Sequence, residues 1–300
     1  MTDWTASDVP DQSGRTALVT GANSGLGFAT SVGLARAGAR VLLACRDTER
    51  GEAALARLRA EVPAAAGTSA ELVPLDLASL ASVRATAADV AGRIDRLDAL
   101  VCNAGVMAVP RRTTADGFEM QLGTNHLGHF ALTGLLLPLL RVSAEPRVVV
   151  VASEAAKIGR IRFDDLMGER HYFRWTAYGQ SKLANLLFAR ELGHRASDLT
   201  VACAHPGYAA TNLQTAPGIP GRIMALGNRV VAQSEADGAL PQLYAVSMPD
   251  VVSGDYYGPS RLFGMRGSPH KVSAPPAAKD DHVAARLWTV SEDLTDVRYP

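Results

Sequence analysis

Short apolar runs alternate with longer helical patterns through the first two thirds of the 300-residue sequence. This alternation is typical of βαβ units, in which each helix returns the chain so that the next strand lies parallel to the last. Such crossovers are almost always right-handed. The sequence therefore predicts an α/β fold with a doubly wound parallel sheet. The predicted strands are Thr16–Thr20, Arg40–Ala44, Glu71–Pro74, Ala99–Cys102, Arg147–Ala152 and Thr200–Ala204, and the predicted helices are Gly25–Ala37, Thr48–Glu61, Leu80–Ile94, Asp116–Leu140 and Thr176–Arg195.

The residues before and after this alternating pattern predict further segments. Residues 1–14 carry three aspartates and no apolar stretch, which predicts a flexible N-terminal tail and not a secretory signal. Residues 15–300 are predicted to form one domain, in which the Pro- and Gly-rich residues 207–233 act as a substrate lid. A helix near Ser234–Val246, a short seventh strand at Gly254–Gly258, a Gly/Pro-rich loop and an amphipathic helix near Ala277–Glu292 complete the prediction.

Charge and cysteine content narrow the classes of partner. Thirty basic residues balance thirty acidic ones, so the chain offers no overall field for nucleic acid or an anionic membrane. The longest apolar segment, Phe130–Leu140, is about half of the ~20 residues that a spanning helix needs. Cys45, Cys102 and Cys203 lie far apart in apolar runs, which favours reduced core thiols over disulfides or a zinc site. We expect a cytoplasmic protein with a small-molecule partner and no obligatory membrane.

A glycine-rich turn, Thr20-Gly21-Ala22-Asn23-Ser24-Gly25-Leu26-Gly27, joins the first predicted strand to the first helix. At this place the backbone can approach a pyrophosphate, because the first N–H groups of a helix have no partner within it. Side chains at Gly21 or Gly25 would block the turn, and Gly27 lets the helix pack closely on the strand. The alternative is a strand-to-helix turn without a ligand. The predicted phosphate-binding residues are Gly21, Asn23, Ser24, Gly25, Leu26 and Gly27.

These residues spell TGxxxGxG and resemble the coenzyme motif of the short-chain dehydrogenase/reductase family, and the resemblance extends over nearly the whole chain. Asn103-Ala104-Gly105 resembles the NAG element of that family, and Asp76-Leu77 resembles the pair that meets the adenine. The resemblance implies a Rossmann-type domain of seven parallel strands in the order 3-2-1-4-5-6-7. It also implies a nicotinamide dinucleotide cofactor and leaves a homo-oligomer possible.

The end of the second predicted strand bears on the choice between NADP and NAD. An NAD enzyme usually places a carboxylate there, on the ribose 2′-hydroxyl, whereas this chain has Cys45-Arg46-Asp47. A guanidinium at Arg46 suits a 2′-phosphate, in a contact worth ~1.5–3 kcal/mol. Two alternatives remain, since Arg46 could be a solvated loop residue and Asp47 could reach the ribose instead. NADP is the predicted cofactor.

Tyr178 and Lys182 are four residues apart in a helical pattern, so both project from one helix face. The chain has seven tyrosines and only four lysines, so about 0.1 such pair is expected by chance. A phenol with a pKa near 10 serves as a base near neutrality only when its anion is stabilised by ~4 kcal/mol. The Lys182 ammonium can supply much of that, and can also hold the nicotinamide ribose. In the reducing direction Tyr178 would be the acid.

The resemblance implies further site residues. Ser153 ends the fifth predicted strand and would hydrogen-bond the reacting oxygen, although a strand-end serine that bonds backbone is the alternative. Ser153 precedes Tyr178 by a long gap, so the insertion Glu154–Tyr172 is predicted to wall the substrate pocket. Asn125 matches the family asparagine that kinks a long helix and holds a relay water. Pro206, Gly207 and Thr211 resemble the segment that receives the nicotinamide amide.

Two histidines beside Asn125 suggest a metal site at first sight. His126 and His129 form an HxxH pair, but the sequence offers no third ligand. A pair of this kind is more often part of a helix surface or a core. We therefore predict no metal.

Three stretches resemble the retinol dehydrogenase-like branch of the family, which favours apolar, long or ring-bearing carbonyls and alcohols. They are Ala44-Cys45-Arg46-Asp47, Tyr178-Gly179-Gln180-Ser181-Lys182-Leu183-Ala184-Asn185 and Tyr256-Tyr257-Gly258-Pro259. The predicted function is NADP-dependent hydride transfer to or from a hydrophobic small molecule. The alternatives are an NAD-linked alcohol dehydrogenase and a non-catalytic dinucleotide-binding regulator, since fold alone does not prove activity.

Overall fold

Eight strands form a single sheet in the computed structural model, which describes residues 3–62, 69–207, 234–262 and 264–299. The strand order is β3-β2-β1-β4-β5-β6-β7-β8, and neighbouring strands from β3 to β7 run parallel. The predicted α/β class and the order of the first seven strands are confirmed. The strands are β1 Thr16–Thr20, β2 Arg40–Cys45, β3 Ala70–Pro74, β4 Ala99–Cys102, β5 Arg147–Val151, β6 Thr200–Ala204, β7 Tyr256–Arg261 and β8 Arg266–Lys271.

The eighth strand corrects the prediction of a wholly parallel, seven-stranded sheet. β8 pairs antiparallel with β7, where the sequence predicts a Gly/Pro-rich loop. Its sequence, RGSPHK, has no apolar alternation and contains Gly267 and Pro269. Proline is tolerated at the edge of a sheet because an edge strand needs hydrogen bonds on one side only. Backbone pairing with β7, and not side-chain pattern, therefore makes this segment a strand.

Helices cover both faces of the sheet. The described part of the chain has eight α-helices. They are α1 Gly25–Arg36, α2 Thr48–Glu61, α3 Leu80–Arg93, α4 Met120–Leu122, α5 Gly128–Leu140, α6 Arg174–Arg195, α7 Glu235–Ser247 and α8 Asp281–Thr295. The apolar residues of α1, α2 and α7 share one core cluster, and those of α3, α5, α6 and α8 share the other. The arrangement is the doubly wound one that the sequence predicts.

Successive side chains along each strand contribute alternately to the two core clusters. In β1, Leu18 joins the cluster on the α5 and α6 side, whereas Ala17 and Val19 join the opposite cluster. Successive side chains of a strand point to opposite faces, so a strand covered on both faces must be apolar at every position. This accounts for the run of four valines in β5.

The long helix predicted over Asp116–Leu140 is shorter and is interrupted. It begins with α4, whose backbone N–H groups at Gln121 and Leu122 donate to the carboxylate of Glu119. A π-helical turn, Gly123–Leu127, separates α4 from α5. Such turns widen the helix and often occur at functional sites. Asn125 lies at the centre of this turn.

The N-terminal segment differs from the predicted flexible tail. The ring of Trp4 lies 5.2 Å from that of Tyr244 in α7, and Gln12 is buried with its backbone N–H donating to the Ala37 carbonyl. Trp4 therefore packs on α7 and Gln12 on the end of α1, while most of the other residues of this segment are exposed. The predicted lid lies outside the described residues except for Gly207. Of the helices described, none is long and apolar enough to cross a membrane.

Candidate active site

The glycine-rich turn after β1 is tightly packed against β4. Gly21 and Gly25 have positive φ angles of 68° and 60°, which disfavour any side chain. A Cβ on Gly27 would lie 2.4 Å from the Gly21 carbonyl oxygen and 2.5 Å from Nδ2 of Asn103. The turn therefore requires glycine for backbone conformation and for close approach, as the sequence predicts.

This turn opens a cavity of about 350 Å³ at the carboxyl ends of β1, β2 and β4. A groove at this edge, where the strand order reverses, is where doubly wound folds bind dinucleotides. The N–H groups at the start of α1 face it without helical partners. Predicted cofactor residues that line the cavity are Gly21, Asn23, Ser24, Gly25, Leu26, Gly27, Arg46, Asp76, Leu77, Asn103, Ala104 and Gly105.

Arg50 and Thr124 also line the cavity, and the sequence analysis missed both. Arg50 lies in the first turn of α2, one turn beyond Arg46. Both arginines are exposed, and neither forms an ion pair with any residue that the structure describes. A basic residue four positions after Arg46 in a predicted helix was the signal that could have identified Arg50.

Asp47 has a structural task at this edge. It is the N-cap of α2, and its Oδ1 accepts a hydrogen bond from the Arg50 backbone N–H at 3.0 Å. Capping satisfies one of the unpaired donors at the start of a helix. The carboxylate is therefore engaged with its own helix.

The Asn103–Gly105 loop is held by the end of β1. Backbone N–H groups of Asn103 and Ala104 both donate to Oγ1 of Thr20 at 2.9 Å. Nδ2 of Asn103 donates to the Thr20 carbonyl oxygen at 2.8 Å. Across the cavity, the carboxylate of Asp76 accepts from the Ala78 N–H at 2.9 Å. These bonds fix the loop that closes the floor of the cavity.

Tyr178 and Lys182 lie on one face of α6 and are both buried. Burial raises the pKa of the Tyr178 phenol, and a hydrogen bond with the Ser153 side chain partly lowers it. Ser153 Oγ also accepts from the Ala155 N–H at 3.2 Å, so the structure places this serine against both the phenol and the backbone. Ser153, Tyr178 and Lys182, three of the four residues predicted as catalytic, are thus close together, and Asn125 is the fourth.

The Lys182 ammonium joins this cluster to β5 and to the dinucleotide loop. Its Nζ donates to the Val151 carbonyl oxygen at 2.9 Å and lies 5.9 Å from the centre of the Tyr178 ring. Burial lowers its pKa to about 8. A Cβ built on Gly105 would lie 3.6 Å from this Nζ and 3.0 Å from Oδ1 of Asn125. Gly105 lines the glycine-turn cavity, so Lys182 lies next to one end of it, although Ser153, Tyr178 and Lys182 are not themselves lining residues.

Asn125 links the loop after β4 to α6 through hydrogen bonds of its side chain. Its Oδ1 accepts from the Val106 N–H at 2.8 Å, and its Nδ2 donates to the Val106 carbonyl and to Oγ of Ser181, each at 2.9 Å. The residue is fully buried. It lies in the π-helical turn, where the sequence predicts a helix kink. Both amide hydrogens and one of the two oxygen lone pairs of its side chain are thus engaged by protein.

The segment after β6 is described only as far as Gly207, so Thr211 lies outside the described residues. Gly207 has a φ of 66°, and a Cβ there would lie 2.6 Å from the Met265 carbonyl oxygen. Neither Pro206 nor Gly207 lines the glycine-turn cavity. Their predicted contact with a nicotinamide amide stays a prediction.

The HxxH pair points in two directions. Nε2 of His126 contacts Oγ of Ser291 in α8 at 2.8 Å, whereas Nε2 of His129 contacts Oγ1 of Thr20 at 2.9 Å. Over the part of the chain that the structure describes, no three potential metal ligands form a group.

The insertion Glu154–Tyr172 forms a second cavity of about 170 Å³ against α6. Ile158, Arg160 and Arg162 line it from the insertion, and Thr176 and Gln180 line it from the helix. Ser153 and Tyr178 are not among its lining residues. The insertion thus borders α6 on a face next to the Tyr178 cluster, and its predicted role as a substrate wall stays a prediction.

Comparisons with known proteins agree with this geometry. The family model for short chain dehydrogenases matches residues 15–218. Retinol dehydrogenase 14 of Mus musculus is 45% identical over 95% of this chain and 86% of its own length. Retinol dehydrogenase 13 of Homo sapiens is 42% identical over 96% of this chain and 86% of its own length.

Solved structures share this fold. An uncharacterized protein from Mycobacterium Paratuberculosis is 44% identical, with a TM-score of 0.82 over 100% of both chains. RhlG of Pseudomonas aeruginosa, solved as an NADP active-site complex, is 28% identical with a TM-score of 0.63 over 82% of this chain and 94% of its own. The chain therefore belongs to the short-chain dehydrogenase/reductase family and to its retinol dehydrogenase-like branch, a group of oxidoreductases that act on alcohol or carbonyl groups.

Proposed function

We propose that this protein uses NADP to reduce or oxidise a hydrophobic carbonyl or alcohol. One observation carries the proposal: the glycine-turn cavity extends to Gly105, and the Nζ of the buried Lys182 lies 3.6 Å from the position that a Cβ on Gly105 would take. Tyr178 lies on the same face of α6 as Lys182 and hydrogen-bonds the Ser153 side chain. A dinucleotide needs an elongated groove with phosphate donors at one end and proton chemistry at the other. Backbone N–H groups of the glycine turn meet the first requirement, and side chains near the same sheet edge meet the second.

The residues at the cavity fit such a cofactor. The backbone at Gly21 and Gly27 leaves little room for a Cβ, and the positive φ of Gly25 disfavours a side chain there, whereas the cavity stays open. A chain accommodates a pyrophosphate in this way. Asp76 and Leu77 would hold the adenine, and Asn103, Ala104 and Gly105 would lie under the rest of the dinucleotide. When bound, the nicotinamide supplies the hydride.

In the proposed chemistry Tyr178 transfers the proton. Burial holds its phenol protonated at neutral pH, because it raises the pKa. A protonated phenol is the form that donates to a carbonyl oxygen during reduction. For oxidation its pKa must fall, and the neighbouring Lys182 ammonium favours the tyrosinate. The Ser153 hydroxyl would hydrogen-bond the same substrate oxygen and stabilise the charge that develops there.

Two arginines support the preference for NADP. Arg46 and Arg50 both line the cavity at the end of β2, with no competing ion pair among the described residues. Guanidinium groups pair with phosphate by charge-assisted hydrogen bonds. Asp47 caps α2, which supports the proposal over an NAD enzyme in which this carboxylate reads the ribose.

Apolar side chains support a hydrophobic substrate. Trp175 lies in the turn of α6 before Tyr178, with the two rings 6.4 Å apart, and it is 38% exposed. Phe173 and Ile158, both 60% exposed, line the cavity between the Glu154–Tyr172 insertion and α6. Exposed aromatic groups beside a proton donor are suited to bind an apolar substrate. The relatives named retinol dehydrogenases support the same class.

The proposal also includes a cytoplasmic location, in which thiols stay reduced. Cys45, Cys102 and Cys203 are all buried and unpaired, which supports it. A homo-oligomer stays a prediction.

Binding and turnover test the proposal together. NADPH and NADH are titrated by fluorescence, and the loss of NADPH absorbance is then followed with a panel of aldehydes and ketones of increasing chain length. We expect tighter binding of NADPH and faster turnover of the longer apolar substrates. Tighter binding of NADH would favour an NAD-linked dehydrogenase, and binding without turnover of any carbonyl or alcohol would favour a regulator.

A further inference from the structure

His129 lies between the end of β1 and the π-helical turn, and its ring contacts both. Nε2 is 2.9 Å from Oγ1 of Thr20, and Nδ1 is 2.9 Å from the backbone carbonyl oxygen of Asn125. The side chain is 1% exposed. Thr20 is 109 residues away in sequence, so this histidine joins two distant parts of the chain.

The partners fix the tautomer of the ring. A carbonyl oxygen only accepts hydrogen bonds, so Nδ1 of His129 must carry the proton that it donates to Asn125. Nε2 then accepts the Thr20 hydroxyl proton. Burial lowers the pKa of His129 to about 4, so the ring is neutral near neutral pH. Both nitrogens are thus satisfied in a single tautomer.

Each end of this bridge continues into the candidate active site. On one side, Oγ1 of Thr20 accepts the backbone N–H groups of Asn103 and Ala104 at 2.9 Å. On the other side, the Asn125 side chain donates to Oγ of Ser181, which lies between Tyr178 and Lys182 in α6. Hydrogen bonds, joined through the backbone and side chain of Asn125, therefore connect the dinucleotide loop to the helix that carries the tyrosine.

We propose that His129 is a positioning residue that fixes the Asn125 turn and the Asn103–Ala104 loop relative to each other, so that the dinucleotide and the proton donor stay aligned. The inference rests on the proposed function for the roles of Tyr178 and Lys182. The effects of the two His129 contacts should be separable. The Nδ1 contact holds the turn that bonds α6 and should affect turnover, whereas the Nε2 contact holds the Asn103–Ala104 loop and should affect dinucleotide binding. Networks of buried hydrogen bonds hold such geometry because a lost partner leaves a polar group unsatisfied.

Two substitutions separate the two nitrogens. His129→Gln keeps an oxygen near the position of Nε2 and loses the donor to Asn125. We expect kcat to fall about tenfold to hundredfold, the effect of one unsatisfied buried partner, with the Kd for NADPH changed less than about threefold. His129→Asn keeps a donor near the position of Nδ1 and loses the contact with Thr20. We expect the Kd for NADPH to rise about tenfold, with kcat at saturating NADPH within about threefold of the native value.

His126 provides a matched control on the same helix turn. It is equally buried, but its Nε2 contacts Ser291 in α8 and not the site. His126→Gln and His126→Asn should lower the melting temperature without separating kcat from Kd. Equal changes in kcat and Kd for both His129 variants, or the same separation in the His126 variants, would overturn the inference.

Nitrogen NMR of the native protein adds a readout that needs no variant. With ¹⁵N-labelled histidine, we expect His129 to show protonated Nδ1 and unprotonated Nε2, with no titration between pH 8 and about 5. A protonated Nε2, or titration near pH 6.5, would overturn the bridge. If the native protein binds NADPH but turns over no substrate, the proposed function fails, while the tautomer and the Kd of His129→Asn still test the bridge.

Discussion

Removal of the Arg46 guanidinium should change cofactor choice more than cofactor binding in general. Arg46 lines the cavity directly after β2, and Asp47 beside it is engaged as the cap of α2. The 2′-phosphate is the only group that NADPH has and NADH lacks. Arg46→Ala should therefore weaken the binding of NADPH and leave the binding of NADH nearly unchanged.

The size of the effect follows from the exposure of the side chain. A charge-assisted hydrogen bond to phosphate is worth ~1.5–3 kcal/mol, or about one to two decades in Kd. Arg46 is exposed, so water and salt screen the contact and place the loss near one decade. Arg50 lines the same cavity, and the double substitution should approach two decades.

Fluorescence titration of NADPH and NADH at two salt concentrations measures these changes. Arg57→Ala is the matched control, because Arg57 lies on α2 but pairs with Glu61 at 2.8 Å and does not line the cavity. This control substitution removes the same charge and should leave the ratio of the Kd for NADPH to the Kd for NADH unchanged. An equal loss for both cofactors in Arg46→Ala, or a loss as large in the control, would refute the assignment of the 2′-phosphate site.

Three further substitutions test other parts of the account. Tyr178→Phe should retain NADPH binding and lose ~10²- to 10⁴-fold in turnover, measured as kcat beside Kd; near-native kcat would remove the phenol from the chemistry. Gly27→Ala should abolish dinucleotide binding or lower the melting temperature, because its Cβ would lie 2.4 Å from the Gly21 carbonyl oxygen; native values of both would contradict the packing. Lys182→Met should raise the free energy of unfolding of the cofactor-free protein by up to about 3 kcal/mol at pH 7, because burial lowers the lysine pKa from 10.5 to about 8. Between pH 8 and 10.5 the unfolded chain binds more protons than the folded protein, so the free energy of unfolding of the native protein rises over this range and approaches that of the variant. A difference between variant and native protein that does not depend on pH would refute burial as the cause.

Local pattern predicts the parts of the site that lie together in sequence. The glycine turn, Arg46 and the Tyr178–Lys182 pair each follow from spacing within a few residues. The structure places the turn and Arg46 at one cavity and the pair on one face of α6, and their roles stay predictions. β8 was missed because its pairing with β7 uses backbone groups, which carry no residue pattern.

Contacts between distant segments could not be predicted. The bond between His129 and Thr20 spans 109 residues, and a buried polar pair has no period in the sequence. The HxxH spacing alone suggested a shared ligand, whereas the π-helical turn directs the two rings to different partners. Asp47 is a different case, because the predicted helix already begins at Thr48 and an aspartate directly before a helix is a favoured N-cap, a local signal for the role that the structure shows.

Transfer of an isotopic label tests the central claim most directly. The protein is incubated with NADPH carrying deuterium at C4 of the nicotinamide, on either face in separate reactions, and with a long apolar aldehyde. The account predicts an alcohol heavier by one mass unit from one of the two labelled forms, and a rate of formation that collapses in Tyr178→Phe. An unlabelled alcohol from both forms, or no alcohol despite measured binding of NADPH, would contradict it.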